Sequence, residues 1–392
     1  MVRYRTDWVL FMTTLVLVVL GIAVVYSASS ATVVAKQTAQ TAAGANEFAW
    51  WKPIAAAIVW KQIAAAVLGF LALMILKRVD YRQLNDVRWA FLPLGLLLPA
   101  LIVAYLYGRK HRWISFGIAD FQPSEFAKPA LIVFLAWFVV KRLRHINNLQ
   151  TLKPAALAIA VVGVLVLAAD FGTAVVLLGT AAAMFFVAGL DKRYFLFAGA
   201  AVALVLVASL FHKPYRLKRL VAKLDPEYKV ILMVNPSGQL RDWLESVSVV
   251  ADPNYQAHQS VIAVGSGGVF GLGLGEGKQK VLYLPEAHTD FIYAVVGEEM
   301  GLWGTTAILV GFVVVMWRGM RLFWAAPDDF GKYLALGLTT CLVLQAFVNM
   351  SVVLDMGPTK GIPLPLISYG GSSMLSSLVA LGMLLSVSEN AG

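Results

Sequence analysis

Apolar positions crowd into long uninterrupted runs along this chain, and polar positions fill the intervals between them. From Trp8 the sequence reads WVLFMTTLVLVVLGIAVVYS without a charge, and comparable runs recur to the end. About 18 or more apolar residues in a row mark a helix able to cross a bilayer, whose hydrocarbon core is about 30 Å thick. The pattern predicts about ten spans, at roughly 8–27, 54–76, 89–107, 125–140, 155–169, 172–188, 194–211, 289–317, 332–356 and 365–387. Only the DFG of residues 170–172 separates the fifth from the sixth, which predicts a tight helical hairpin. The runs are continuously apolar rather than alternating, which argues against a β-barrel. The expected fold is an all-α polytopic membrane protein, a single transmembrane domain over 1–392.

Composition agrees, with a mean hydropathy of +0.75 and 14% charged residues, against about 25% in soluble domains. The net charge of +10 does not predict a nucleic-acid partner, because the Lys and Arg lie mostly at span ends, where they meet lipid headgroups. No basic segment outside the spans is large enough to hold a duplex. Short loops on one side carry Lys77, Arg78, Arg82, Arg88, Lys141, Arg142, Arg144, Lys153, Lys192, Arg193, Arg318, Arg321 and Lys332. Those on the other carry about half as many, mainly Arg109, Lys110, Arg112 and Lys128. Positive residues stay inside, so both termini are expected in the cytoplasm, with 212–288 a long extracytoplasmic loop between helices 7 and 8. Arg3, Arg5 and YSASSA imitate a signal peptide, but the run is longer than an h-region of about 7–15 residues and reads as a retained first helix. The lone Cys341 allows no intramolecular disulfide. No internal repeat of the inverted-transporter kind is visible. Residues 29–53, rich in Ala, Thr and Gln, read as a flexible excursion.

The stretch LPEAHTDFIYAVVGEEM, 284–300, gathers Glu286, His288, Asp290, Glu298 and Glu299 at the start of one span. On a helix, Asp290 and Glu298 would share a face, with Glu298 about 12 Å deeper. A charge at that depth costs at least about 2.5 kcal/mol unless paired or wetted. Gly297 and Gly301 form a small-xxx-small pair, so Glu298 and Glu299 read as buried, paired packing residues. Asp290 is either a helix-start acid or a functional carboxylate. The basic residues Arg109, Lys110, Arg112, Lys128, Arg216, Lys218 and Arg219 are either headgroup anchors or a phosphate-binding patch. Pro123-Ser124-Glu125 reads as a helix start, which puts Lys128 one turn into a span, where it needs an acidic partner or an anionic ligand. GSGGVFGLGLGEGKQK, 265–280, fits neither the dinucleotide fingerprint nor the P-loop; its glycines suit a re-entrant turn lining a cavity. In PTKGIPLPLISYGGSS, 358–373, three prolines break any helix, and Lys360 is either a phosphate contact or an interfacial lysine. No HExxH or GxSxG pattern occurs. Carboxylates and cations on one membrane face suit a substrate with a pyrophosphate and a hydroxyl to be deprotonated.

Taken together, YSASS, RWISFG, FQPSEFAK, DFGTA, YQAHQS, LPEAHTDF and PLPLISYGGSS resemble the SEDS family (shape, elongation, division and sporulation), which includes FtsW, RodA and SpoVE. The blocks are more similar to its FtsW branch than to RodA. The resemblance implies a ten-helix peptidoglycan glycosyltransferase of the bacterial cytoplasmic membrane, acting at the division septum. It implies lipid II as substrate, and as partners a class B penicillin-binding protein and other division proteins. The family's essential aspartate falls on Asp290, the acid and lysine of its PSE-x-AK block on Glu125 and Lys128, and its loop arginine on Arg219. Joined to the residue pattern, this makes Asp290 the group that deprotonates, or orients, the acceptor sugar's 4-hydroxyl. Lys128 and Arg219, with Arg112 or Lys360, become contacts for the departing pyrophosphate, and Glu286 and His288 lie around them. A divalent cation could share that work, but no motif demands a metal. The chain departs from the family at Ala169, where a proline is usual, and in an insertion near 227–250. A lipid II flippase and a non-catalytic division scaffold are the alternatives.

Overall fold

The computed structural model describes the chain apart from residues 1–5, 43–51, 110, 116, 118–119, 213–220, 222–224, 226–228, 236, 247–254, 283, 285–286, 358–360 and 391–392. Each predicted apolar run lies largely within a long helix. These are α1 (Trp8–Ala42), α2 (Lys52–Arg78), α3 (Val87–Tyr107), α4 (Pro123–Arg142), α5 (Leu149–Ala169), α6 (Phe171–Val187) and α7 (Lys192–His212). After the short α8 (Lys229–Val234), α9 (Gln239–Ser246), α10 (Tyr255–Ser266) and α11 (Gln279–Leu282) come α12 (Ile292–Ala325), α13 (Asp329–Val353) and α14 (Gly371–Asn390). Among the described residues, seven helices are long and apolar enough to cross a membrane. The chain is an all-α, multi-pass membrane protein.

Short polar residues set the helix starts. Asp86 accepts from Arg88 N at 2.8 Å, Asn148 from Gln150 N at 2.9 Å, and Asp328 from Gly331 N at 2.8 Å. Each occupies a free amide of the first turn, worth about 1 kcal/mol. Pro123 opens α4, where its missing N–H costs nothing. The two C-terminal helices form the centre of the bundle: 72% of the most apolar window of α13 and 78% of that of α14 are buried, against 22% for α2 and α3. Small residues on α14 let α2 approach closely, with Gly382 against Leu73 and Gly69 of α2 against Leu378.

Three expectations are corrected. The first part of the 29–53 excursion is helical, because α1 continues to Ala42; no Gly or Pro interrupts it before Gly44, and Ala, Lys and Gln favour helix. The last span begins at Gly371 rather than near 365. Pro363 and Pro365 lack the N–H a helix needs, and Leu366 turns the chain at φ 66°. The eighth predicted span begins at Ile292, and α12 is broken at Gly301, whose φ of 63° and ψ of −154° suit glycine alone.

That break is filled by the glycine-rich segment. Leu272 N and Gly273 N donate to the carbonyls of Glu298 and Glu299 at 3.0 Å, and Leu302 N donates to Gly268 O at 3.0 Å. Gly267 and Gly271 lie so close to the α12 backbone that a Cβ on either would strike it. The segment lies along α12 with most of its side chains exposed, and its backbone supplies bonds lost at the break.

Candidate active site

Asp290 lies in a turn just before α12, so it shares no helical face with Glu298. The turn is held by backbone bonds at three successive residues. His288 O accepts from Tyr369 N at 3.0 Å, Thr289 O from Ser368 Oγ at 2.6 Å, and Asp290 O from Asn349 Nδ2 at 2.8 Å. The half-buried carboxylate rests on Gly361, where its Oδ2 occupies the space a side chain would need. Only glycine fits opposite it.

Gly361 opens a segment, residues 361–370, with neither helix nor sheet to satisfy its backbone, so side chains from two helices do so. Asn349 donates to Ile362 O at 2.6 Å and Gln345 to Pro363 O at 2.8 Å, both from α13. From α2, Gln62 Nε2 donates to Ser368 O at 3.2 Å, and its Oε1 accepts from Gly370 N at 3.2 Å. Ser368 Oγ also accepts from Leu364 N at 2.7 Å. Ile362 packs on Gly172 of α6 and Ile367 on Gly21 of α1. Residues 288–290 and 361–370 form one hydrogen-bonded unit held among four helices, α1, α2, α6 and α13.

Beneath it, Glu125 and Lys128 are buried one turn apart on α4 and paired at 2.9 Å. Lys128 also donates to Gln345 Oε1, the side chain that grips Pro363 O. The partner Lys128 requires is therefore Glu125, linked to the Asp290 unit through one amide. Arg112 Nε donates to Ala169 O at 2.7 Å, and its guanidinium lies 3.8 Å from Asp170. This ties the loop bearing β1 (Ile114–Ser115) and β2 (Asp120–Phe121) to the α5–α6 junction. Arg109 pairs with Asp120 at 2.8 Å in an exposed position. The His288 ring lies 5.7 Å from that of Tyr369. Glu286, Arg219 and Lys360 lie outside the described residues, as do Lys110, Arg216 and Lys218.

Glu298 and Glu299 have separate partners. Glu299 pairs with Lys280 and accepts from Ser27 Oγ at 2.7 and 2.8 Å, all three groups being buried. Glu298 Oε1 accepts from Lys278 N at 2.6 Å and Gln279 N at 3.0 Å. Both acids are buried as the sequence pattern predicts, but the cation belongs to Glu299 and the donors shown for Glu298 are backbone amides. The pattern gives no sign of Lys280, Ser27, Gln62 or Ser368 and does not single out Gln345 or Asn349. A signal existed for two of these: Gln345 and Asn349 are four residues apart in an apolar run, which puts two amides on one buried helix face. Among the described residues, no three His, Cys, Asp or Glu side chains converge as a metal-holding group.

These features define a multi-pass membrane protein with a carboxylate on a firmly held turn and a buried acid–lysine pair linked to it through one amide. A family model described as cell cycle protein, FtsW/RodA/SpoVE, matches residues 7–392. The chain belongs to this family. It is 38% identical over 390 residues to a probable peptidoglycan glycosyltransferase FtsW from Geobacter sp. strain M18, covering 97% of this chain and 96% of that one. To the stage V sporulation protein E of Bacillus subtilis it is 35% identical over 391 residues, covering 98% and 97%. Its fold matches a chain from a peptidoglycan synthase complex that coordinates polymerization and crosslinking, with TM-score 0.69, 26% identity and coverage of 99% and 98%. It also matches the rod shape determining protein RodA of Thermus thermophilus, with TM-score 0.63, 26% identity and coverage of 98% and 97%.

Proposed function

We propose that this chain, a peptidoglycan glycosyltransferase, joins lipid II units into glycan strands with Asp290 as its general base. One observation carries this role: Asp290 is fixed by backbone bonds at residues 288, 289 and 290 while its carboxylate stands half-exposed on Gly361. A base placed so firmly is preorganised for one proton. The carboxylate takes the proton of the acceptor sugar's 4-hydroxyl as that oxygen bonds to the donor's anomeric carbon. The bond from that carbon to the lipid pyrophosphate breaks, and the pyrophosphate leaves with the electron pair. Arg112, Arg219, Lys128 and Lys360 supply the positive field for it, with Lys128 acting from its buried pair with Glu125. His288, two residues earlier in the same turn, flanks the base, and Glu286 is assigned a supporting role there.

The site works at the outer face of the cytoplasmic membrane, with both termini inside and 212–288 outside. A class B penicillin-binding protein is the partner, and the septum is the place of action. Incubating the purified protein and its transpeptidase partner with labelled lipid II in detergent tests this activity, because detergent removes any need for flipping. Glycan strands on a gel support a polymerase. Lipid II left intact by correctly folded complex would favour the flippase or the scaffold.

A further inference from the structure

Asn349 is 1% exposed on α13, one turn beyond the equally buried Gln345 and on the same helix face. Both protons of its amide go to backbone carbonyls: Asp290 O at 2.8 Å and Ile362 O at 2.6 Å. Carbonyls only accept, so the nitrogen must face both and the orientation of the amide is settled. Its oxygen meets no donor among the described residues. A residue selected only to fill space would not bury an unsatisfied acceptor, so the two donated bonds are what this position supplies.

The two carbonyls are not equivalent to others in the segment. One belongs to the residue that carries the carboxylate. The other belongs to the neighbour of Gly361, the surface on which that carboxylate rests. A single amide thus fixes both the base's own backbone and the wall behind it. Gln345, one turn earlier, holds the next carbonyl, that of Pro363, and through its Oε1 holds Lys128. Two amides of one helix face thus hold the successive carbonyls of Ile362 and Pro363.

We propose that Asn349 is a positioning residue for Asp290, fixing its carboxylate against Gly361 without itself touching substrate. This rests on Asp290 being the base. A shift of about 1 Å at a reacting group can cost about 10²-fold in rate, which sets the expected scale.

The test compares Asn349→Ala, Asn349→Ser and Asp290→Asn in lipid II polymerisation by the complete complex in detergent, with thermal melting of each. The Ala variant should lose about 10²-fold in kcat, with the KM for lipid II within about twofold of wild type. The Ser variant, which keeps one donor, should fall between Ala and wild type. Active Asp290→Asn protein would remove the general base and this proposal with it. Inactive Asp290→Asn beside a folded Asn349→Ala variant within threefold of wild type would sink the positioning role alone. A raised KM at unchanged kcat, or loss of fold in both Asn349 variants, would also overturn it, since Asn349 would then serve binding or structure.

Discussion

Replacing Lys280 by Met tests how the end of the glycine-rich segment is locked to the bundle. The Lys280 ammonium bonds Glu299 and donates to Ser27 Oγ at 2.9 Å, while Ser27 bonds both Glu299 oxygens. The two charged side chains are 1% and 0% exposed. Desolvation offsets much of the attraction in such a pair, so its net value is small, but removing one partner strands the other at about 3–5 kcal/mol. Ser27 would still donate to Glu299, which places Lys280→Met near the lower end, at about 3 kcal/mol. Glu299→Leu should cost at least as much, because it strands an ammonium. With both charges gone, the apolar pair leaves only the Ser27 hydroxyl without its partners, a loss of about 1 kcal/mol. The assay is equilibrium unfolding in mixed micelles for wild type, the two single variants and the double variant. The double variant should be far more stable than the sum of the single losses predicts, the sign of a direct interaction. A Lys280→Met cost under about 1 kcal/mol, or simple additivity, would refute the lock.

Gly361→Ala should lower polymerisation by about 10²-fold by displacing the Asp290 carboxylate, with little change in melting; wild-type rates would show that the carboxylate does not rest there. Gly301→Ala puts a side chain in a conformation that costs about 1–3 kcal/mol and drives its Cβ into the backbone of Val269 and Gly271, so unfolding should come correspondingly earlier. Asp328 gives a pH signature at the other end of the bundle. Burial opposes its ionisation, but hydrogen bonds from Tyr81, Gly331 N and Arg82 outweigh burial and hold the carboxyl below its ordinary 3.8. Its folded value is the lower one, so the contribution is present above about pH 4 and is lost as pH falls through the depressed value. Tyr81→Phe should therefore cost about 0.5–1.5 kcal/mol at neutral pH and much less in acid, read from unfolding at both; an equal cost at both would refute the coupling.

Much of the architecture is legible in the sequence because bilayer thickness imposes run length, and run length survives in any order of apolar residues. Pro123-Ser124-Glu125 announces the start of α4, and the short junction at Asp170 announces the α5–α6 hairpin. What stays hidden is backbone departure from regular helix inside an apolar context. From residue 289 LPEAHTDFIYAVVGEEM reads as helix, yet the structure has a turn through Asp290 and, just beyond the stretch, a break at Gly301. The break is stabilised by glycines some thirty residues earlier in the chain, and no local pattern encodes that pairing. The acids of this stretch are individually visible, but their partners are not: Ser27, Lys280 and Asn349 meet them only through folding. The family resemblance implies a role for Asp290. The structure adds the framework that holds it.

The central claim is that Asp290 performs the chemistry rather than holding the fold. Wild-type and Asp290→Asn proteins, each purified with the transpeptidase partner, should be matched for melting temperature and complex formation and then given lipid II in detergent. The account predicts glycan strands from wild type and none from an Asp290→Asn protein that folds and assembles equally well. Strands of wild-type length and yield from that variant would contradict it.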